Sequence, residues 1–117
     1  MTGSAAGVLG SAMAFIDTRR LAVLEKRPGW RGRLFHSASN TFIWWEFDAR
    51  ADIHRHEHEQ EEVWHVIEGE LEVTIAGATQ RCGPGTAAII PPNTPHSVLV
   101  IQPGRALVVD HPLREGF

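Results

Sequence analysis

The chain reads as an all-β protein of one domain, a small sandwich or barrel, and three observations predict this. Its 117 residues suffice for one hydrophobic core and are too few for a second module of useful size. Short β-branched or aromatic runs are separated by Gly, Pro and Asn, the pattern of strands closed by tight turns. Nothing holds a helical period over three turns, and no segment repeats, so an arrangement of two barrels is excluded.

The elements follow in order. Residues 1–16, "MTGSAAGVLGSAMAFI", are rich in small residues and read as a weakly ordered tail ahead of a domain spanning 17–117, with Met13 as an alternative start. "DTRRLAVLEKRPGW" fits either one helical turn or an edge strand, and its RPGW then turns the chain. Strands are expected at 33–36, 41–47, 61–69, 70–77, 86–91, 96–102 and 106–110. In "TFIWWEF" the set Ile43, Trp45 and Phe47 is wholly apolar and should face the core. Phe42 and Trp44 then fall on the other face, where two aromatics call for a covering partner, so a homodimer is expected. In "EEVWHVIEG", Glu62, Trp64 and Val66 share one phase, and His65 points away from it.

Composition removes several function classes. A net charge of -3, a pI near 6.1 and the absence of a basic run give a nucleic-acid backbone nothing to hold. Cys82 is the only cysteine, so neither an intrachain disulfide nor a multi-thiolate metal site can form; a reducing cytoplasm is the expected location. Cys82 itself reads as a small buried hydrophobe or turn filler. No apolar run approaches the roughly 20 residues of a membrane span.

Chemistry concentrates in "HRHEHEQEEVWHVIEG", residues 54–69, which holds four of the 7 histidines. His54, His56 and His58 lie two apart, so an extended strand points all three to one side, with Glu62 in phase if the strand continues. Imidazoles with one carboxylate suit Fe, Mn, Ni, Cu or Zn, whereas Ca and Mg ask for oxygen. A further donor has to come from a distant strand, and His96, after the turn "PPNTP", is available. On the His-Glu run alone, a solvated face and a metal site are not separated.

Taken together, the two segments resemble the cupin superfamily. Its first motif is matched by His56, Glu57, His58, three residues, Glu62, six residues and Gly69; its second by Gly85, five residues, Pro91, Pro92, Asn93, two residues and His96. The resemblance spans residues 33–110 and implies a jelly-roll barrel of two antiparallel sheets. It also implies one divalent transition metal (Fe, Mn, Ni, Zn or Cu) on His56, His58, Glu62 and His96, with positions left open for a small molecule. The spacing to Glu62 and to Gly69 sets this register, leaving His54 as a neighbour of the site and Gln60 as a weaker alternative to Glu62. Departures are Arg50 and Asn93 in place of glycines and Val100 in place of an asparagine; Asn93 keeps the turn because Asn tolerates positive φ.

Around this set, Trp64 is expected in the pocket wall and His54 near the site. Asp110 and Arg114 are placed at the pocket by a partial resemblance to cupins of the pectin-degradation type, in which an Asp and an Arg of the late segment assist reaction of an unsaturated uronate; otherwise they are a surface ion pair. The implied function is a metal-dependent enzyme of isomerase, lyase or cyclase type acting on a small carbonyl, sugar-acid or related metabolite. An iron-dependent dioxygenase and a non-enzymatic small-ligand-binding cupin are the alternatives.

Overall fold

A computed structural model describes residues 13–116. After a 3-10 turn at Thr18–Arg20, eight strands follow: β1 (Leu24–Arg27), β2 (Trp30–His36), β3 (Thr41–Phe47), β4 (Asp52–His56), β5 (Glu61–Ile75), β6 (Ala78–Cys82), β7 (Ala87–Ile90) and β8 (His96–His111). All pairings are antiparallel, in the order β1-β2-β3-β8-β5-β6, with β4 on β8 and β7 on β5. The expected tail falls largely outside the described residues, and its described end, Met13 to Ile16, is exposed. The ambiguous segment 17–30 contains both forms, the turn and then the edge strand β1. Among the described residues no helix is long and apolar enough to cross a membrane.

Two corrections concern strand breaks. The runs 61–69 and 70–77 form one strand, β5, and the runs 96–102 and 106–110 form one strand, β8. Each instead turns a corner at the point where a break was expected. The β5–β8 register shifts between Val66 and Leu71, and Gly69 adopts φ +85 with its Cα facing Pro103 O, where an added Cβ would stand 2.5 Å away. A Cβ on Gly104 would collide with the Glu68 carbonyl. Only glycine permits such backbone approach. Before the corner, β5 pairs with β7 and β8 pairs with β3; beyond it, β5 pairs with β6 and β8 with β4. The two expected sheets are thus one hydrogen-bonded ladder folded into two layers. β6, between Gly77 and Gly83, was not anticipated, and Cys82 ends that strand rather than occupying a turn.

The layers enclose a single cluster that includes Trp30, Ile43, Phe47, Trp64 and Val66 from one half and Leu71, Val73, Val98 and Val100 from the other. The expected inward phase of β3 holds: Ile43 and Phe47 are buried, and Trp45 packs against the cluster. Trp30 is its hub, edge-on to Trp45 and Trp64 with ring centroids 5.5 and 5.9 Å away.

Candidate metal centre

Four elements bring the site together. His56 ends β4 and His96 begins β8, and the two are direct cross-strand partners. His58 follows in the loop after β4, and Glu62 enters from β5. The turn after β7 braces two of them: Asn93, at φ 56, donates its N–H to His58 O at 2.7 Å, and Thr94 O bonds His96 Nδ1 at 2.8 Å. The left-handed conformation expected of Asn93 is present, and Arg50, another residue in a glycine position, adopts φ 69.

His54 departs from the expectation of three histidines on one side. The β4–β8 register shifts between Ile53 and His56, so two consecutive residues, His54 and Arg55, face solvent and Ile53 and His56 face inward. A bulge of this kind inverts the phase of everything before it. His54 contributes its carbonyl, which His56 Nδ1 meets at 2.9 Å.

The same arrangement recurs at each histidine. His56 Nδ1 bonds His54 O, His58 Nδ1 bonds Gln60 O at 3.1 Å, and His96 Nδ1 bonds Thr94 O. A carbonyl can only accept, so each Nδ1 carries a proton and Nε2 is the ring atom left to face the site; at His58 that atom meets the Glu62 carboxylate. The three rings offer ligand atoms within 4.8 Å of one another. His96 Nε2 is buried without a hydrogen-bond partner, which is costly for a polar atom unless something else takes up its lone pair. Convergent imidazole nitrogens with a carboxylate at hand form a donor set that suits a divalent transition metal.

Glu62 is 4 % exposed. Its Oε1 lies 2.9 Å from His58 Nε2 and 3.5 Å from Arg114 Nη1; its Oε2 accepts from the Trp64 indole and lies 3.8 Å from His96 Nε2. Burial alone would raise its pKa, but the hydrogen bonds from His58 and Trp64 and the nearby imidazoles bring it down to about 2. The hydrogen bond to Glu62 raises the pKa of His58, while desolvation lowers that of His56.

Asp110 stands directly across from Glu62 on β8 and is 0 % exposed. Arg114 Nη1 lies 3.5 Å from its Oδ2; Oδ1 has no hydrogen-bond partner. Burial, and then the Glu62 charge, push the Asp110 carboxyl up to about 7. Asp110 and Arg114 therefore do not form an ordinary surface pair. Arg114 is carried there by the chain after β8, which is pinned where Thr41 Oγ1 accepts from Arg114 N at 2.9 Å and where Gln60 Nε2 donates to Leu113 O at 3.1 Å.

Glu62, His56, His96, Trp64 and Arg114 line a cavity of about 190 Å3. Trp64 is thus a wall residue as well as core, and it holds Glu62 in place. Gln60 and Thr41 were not assigned these anchoring roles from the sequence. Thr41 did carry a signal, as the single polar residue in the inward phase of β3.

Comparison with known proteins adds the following. The Cupin domain family matches residues 43–110. An RmlC-like cupin from Shewanella frigidimarina superposes with TM-score 0.83 at 21% identity, covering 89% of this chain and 95% of that one. KdgF from a Halomonas species gives TM-score 0.82 at 23% identity, covering 89% and 97%. Oxalate decarboxylase of Bacillus subtilis, a protein with Mn(II) centres, gives 0.74 at 22% over 83% of this chain and 29% of its own. A search of curated proteins found no match.

Proposed function

The chain belongs to the cupin domain family, and on that premise we propose that it is a metal-dependent enzyme of isomerase or lyase type acting on a small carbonyl-bearing acid. The observation that carries this reading is the grouping of a convergent His56, His58 and His96 set with Glu62, Arg114 and a buried Asp110, of which His56, His96, Glu62 and Arg114 line one cavity. A purely structural metal site needs no guanidinium beside it.

His56, His58, Glu62 and His96 would hold the metal. When bound, it supplies Lewis acidity toward a carbonyl, carboxylate or enolate oxygen. The chain's own residues divide the remaining work. Arg114, on the cavity wall, offers the planar fork that pairs with a carboxylate. In the metal-free chain, burial and the neighbouring Glu62 charge hold the Asp110 carboxyl well above the ordinary range, so it keeps its proton to higher pH than a free Asp. The Trp64 indole fixes one Glu62 oxygen, and buried Trp30 and Trp64 keep water from the floor.

Elemental analysis of the purified protein should find one transition metal per chain, and His96→Ala should lose it. A panel of 2-oxo acids and unsaturated uronates should then contain a substrate that shows ultraviolet changes without oxygen uptake. Absence of stoichiometric metal sinks the reading. Oxygen consumption on thiols, diketones or flavonols would replace it with a dioxygenase, and a loaded protein inert on every panel member would replace it with a ligand-binding module.

A further inference from the structure

The cavity has three zones. Its floor is polar, with His96 and Glu62 buried and His56 half-buried. Its middle is lined by Trp30, Trp45, Ile43, Ile53, Val98 and Val108. Its mouth is formed by the exposed edge strand β1, which brings Lys26 and Arg27 to the rim.

The middle zone is informative through its chemistry. Among the described residues that line the cavity there is no Ser, Thr, Asn or Gln, and the chain has no tyrosine. The indole N–H of Trp30 is taken by Asp52 O at 3.2 Å and that of Trp64 by Glu62, so both already have acceptors within the protein. A ring bearing several hydroxyls would have to leave water there for walls that are almost wholly aliphatic and aromatic. Each such hydroxyl weakens binding by roughly tenfold or more. An aryl or branched aliphatic body meets the opposite situation, since apolar and aromatic walls reward it. At both ends the chemistry reverses: Arg114 below, and Lys26 and Arg27 above, attract negative charge. A volume of about 190 Å3 restricts the occupant to a compact metabolite rather than a polymer.

We propose that the cavity takes a compact acid with an apolar, preferably aryl, body and a second anionic group that reaches Lys26 and Arg27 at the mouth, in preference to a polyhydroxylated sugar acid. The inference rests on the proposed function only in placing the ligand in this cavity. It makes a separate claim about the middle and the mouth, which holds whether or not chemistry follows.

Isothermal titration of the whole chain, metal-free and loaded with Mn2+, with phenylsuccinate, phenylpyruvate and galacturonate tests it. Tryptophan fluorescence provides a second readout, because Trp30 and Trp45 line the contact. Both aryl acids should bind at least tenfold more tightly than galacturonate, and phenylsuccinate more tightly than phenylpyruvate. The double variant Lys26→Ala, Arg27→Ala lies on an exposed strand and should remove the advantage of phenylsuccinate while leaving phenylpyruvate unchanged. Galacturonate binding as tightly as the aryl acids, or no binding of any of the three, overturns the assignment of the middle. A double variant that keeps the preference for the diacid overturns that of the mouth. Failure to retain Mn2+ with the aryl preference intact in the metal-free chain would count against the proposed function alone.

Discussion

The inner and outer faces of β2, β3, β8, β5 and β7 are built from one register yet differ in chemistry. On the inner face, Leu34, Ile43, Val108, Trp64 and Ala88 form a row across five strands, and the next row contains His36, Thr41, Asp110, Glu62 and Ile90. Between these rows, on the outer face, lies Phe35, Phe42, Val109, Val63 and Ile89. Beside that comes Arg33, Trp44, Leu107, His65 and Ala87, and then a charged row of Arg31, Glu46, Arg105 and Glu68. The inner face buries its polar residues and supplies each with partners from other elements. The outer face presents an apolar row that the described residues leave partly open: Phe35 and Phe42 stack at 4.8 Å, and Ile89 is 61% exposed. The difference teaches that apolar character alone does not mark the core of this protein; which layer closes over a row decides it.

Tryptophans on the two faces give the sharpest contrast. Trp64→Ala should cost about 3–5 kcal/mol, since it removes a buried ring and also strips Glu62 of a donor. Trp44→Ala, on the half-buried outer face, should cost about 1 kcal/mol. Urea midpoints of the two variants measure this, and equal losses would break the comparison.

The inner polar row makes its own prediction. Asp110 titrates at 3.8 ordinarily and is pushed up to about 7 in the fold, so the folded chain binds the proton that the unfolded chain has released. Stability of the metal-free protein should therefore fall as pH rises from about 4 to 7, by a few kcal/mol at most. Glu62 acts in the opposite sense: with its folded value near 2 against 4.5 ordinarily, it stabilises above 4.5, and that contribution is lost as pH falls toward 2. Asp110→Asn should flatten the slope between 4 and 7 and leave the acid limb. Melting temperatures across that range provide the check.

The outer row should respond through assembly. A second copy of this chain is its expected cover, because two faces of one sheet, each bounded by a row of alternating charge, can pack on each other about a twofold axis. Phe42→Lys should then elute as a monomer where the parent elutes as a dimer, with a fold stability change of about 1 kcal/mol. Identical elution of parent and variant would remove this cover. The smallest effect belongs to the charged row. Arg105→Ala breaks an exposed pair with Glu68 at 3.2 Å and should change stability by less than about 1 kcal/mol, measurable by the same urea titration.

Much of this was legible in the chain. Alternation placed Ile43 and Phe47 inside and Glu62, Trp64 and Val66 on one face, because side chains on a strand alternate whatever the strand later pairs with. The two spaced motifs brought His56, His58, Glu62 and His96 into one group, and the positive φ of Asn93 follows from its position in the second of them. Other features were hidden. Gly69 and Gly104 look like breaks in a linear reading, whereas they are corners inside continuous strands.

What the sequence by itself determined was the class of fold, the three histidines that converge, and the turn that steadies two of them. All of these depend on local spacing and backbone preference. Only the tertiary structure decided that a bulge turns His54 to solvent, that Asp110 sits opposite Glu62 and shares Arg114 with it, and that β1 lends its cations to the mouth of the cavity. The physical reason is that register between strands distant in sequence, and the burial it imposes on charged groups, are properties of the closed barrel, and no stretch of chain carries them alone.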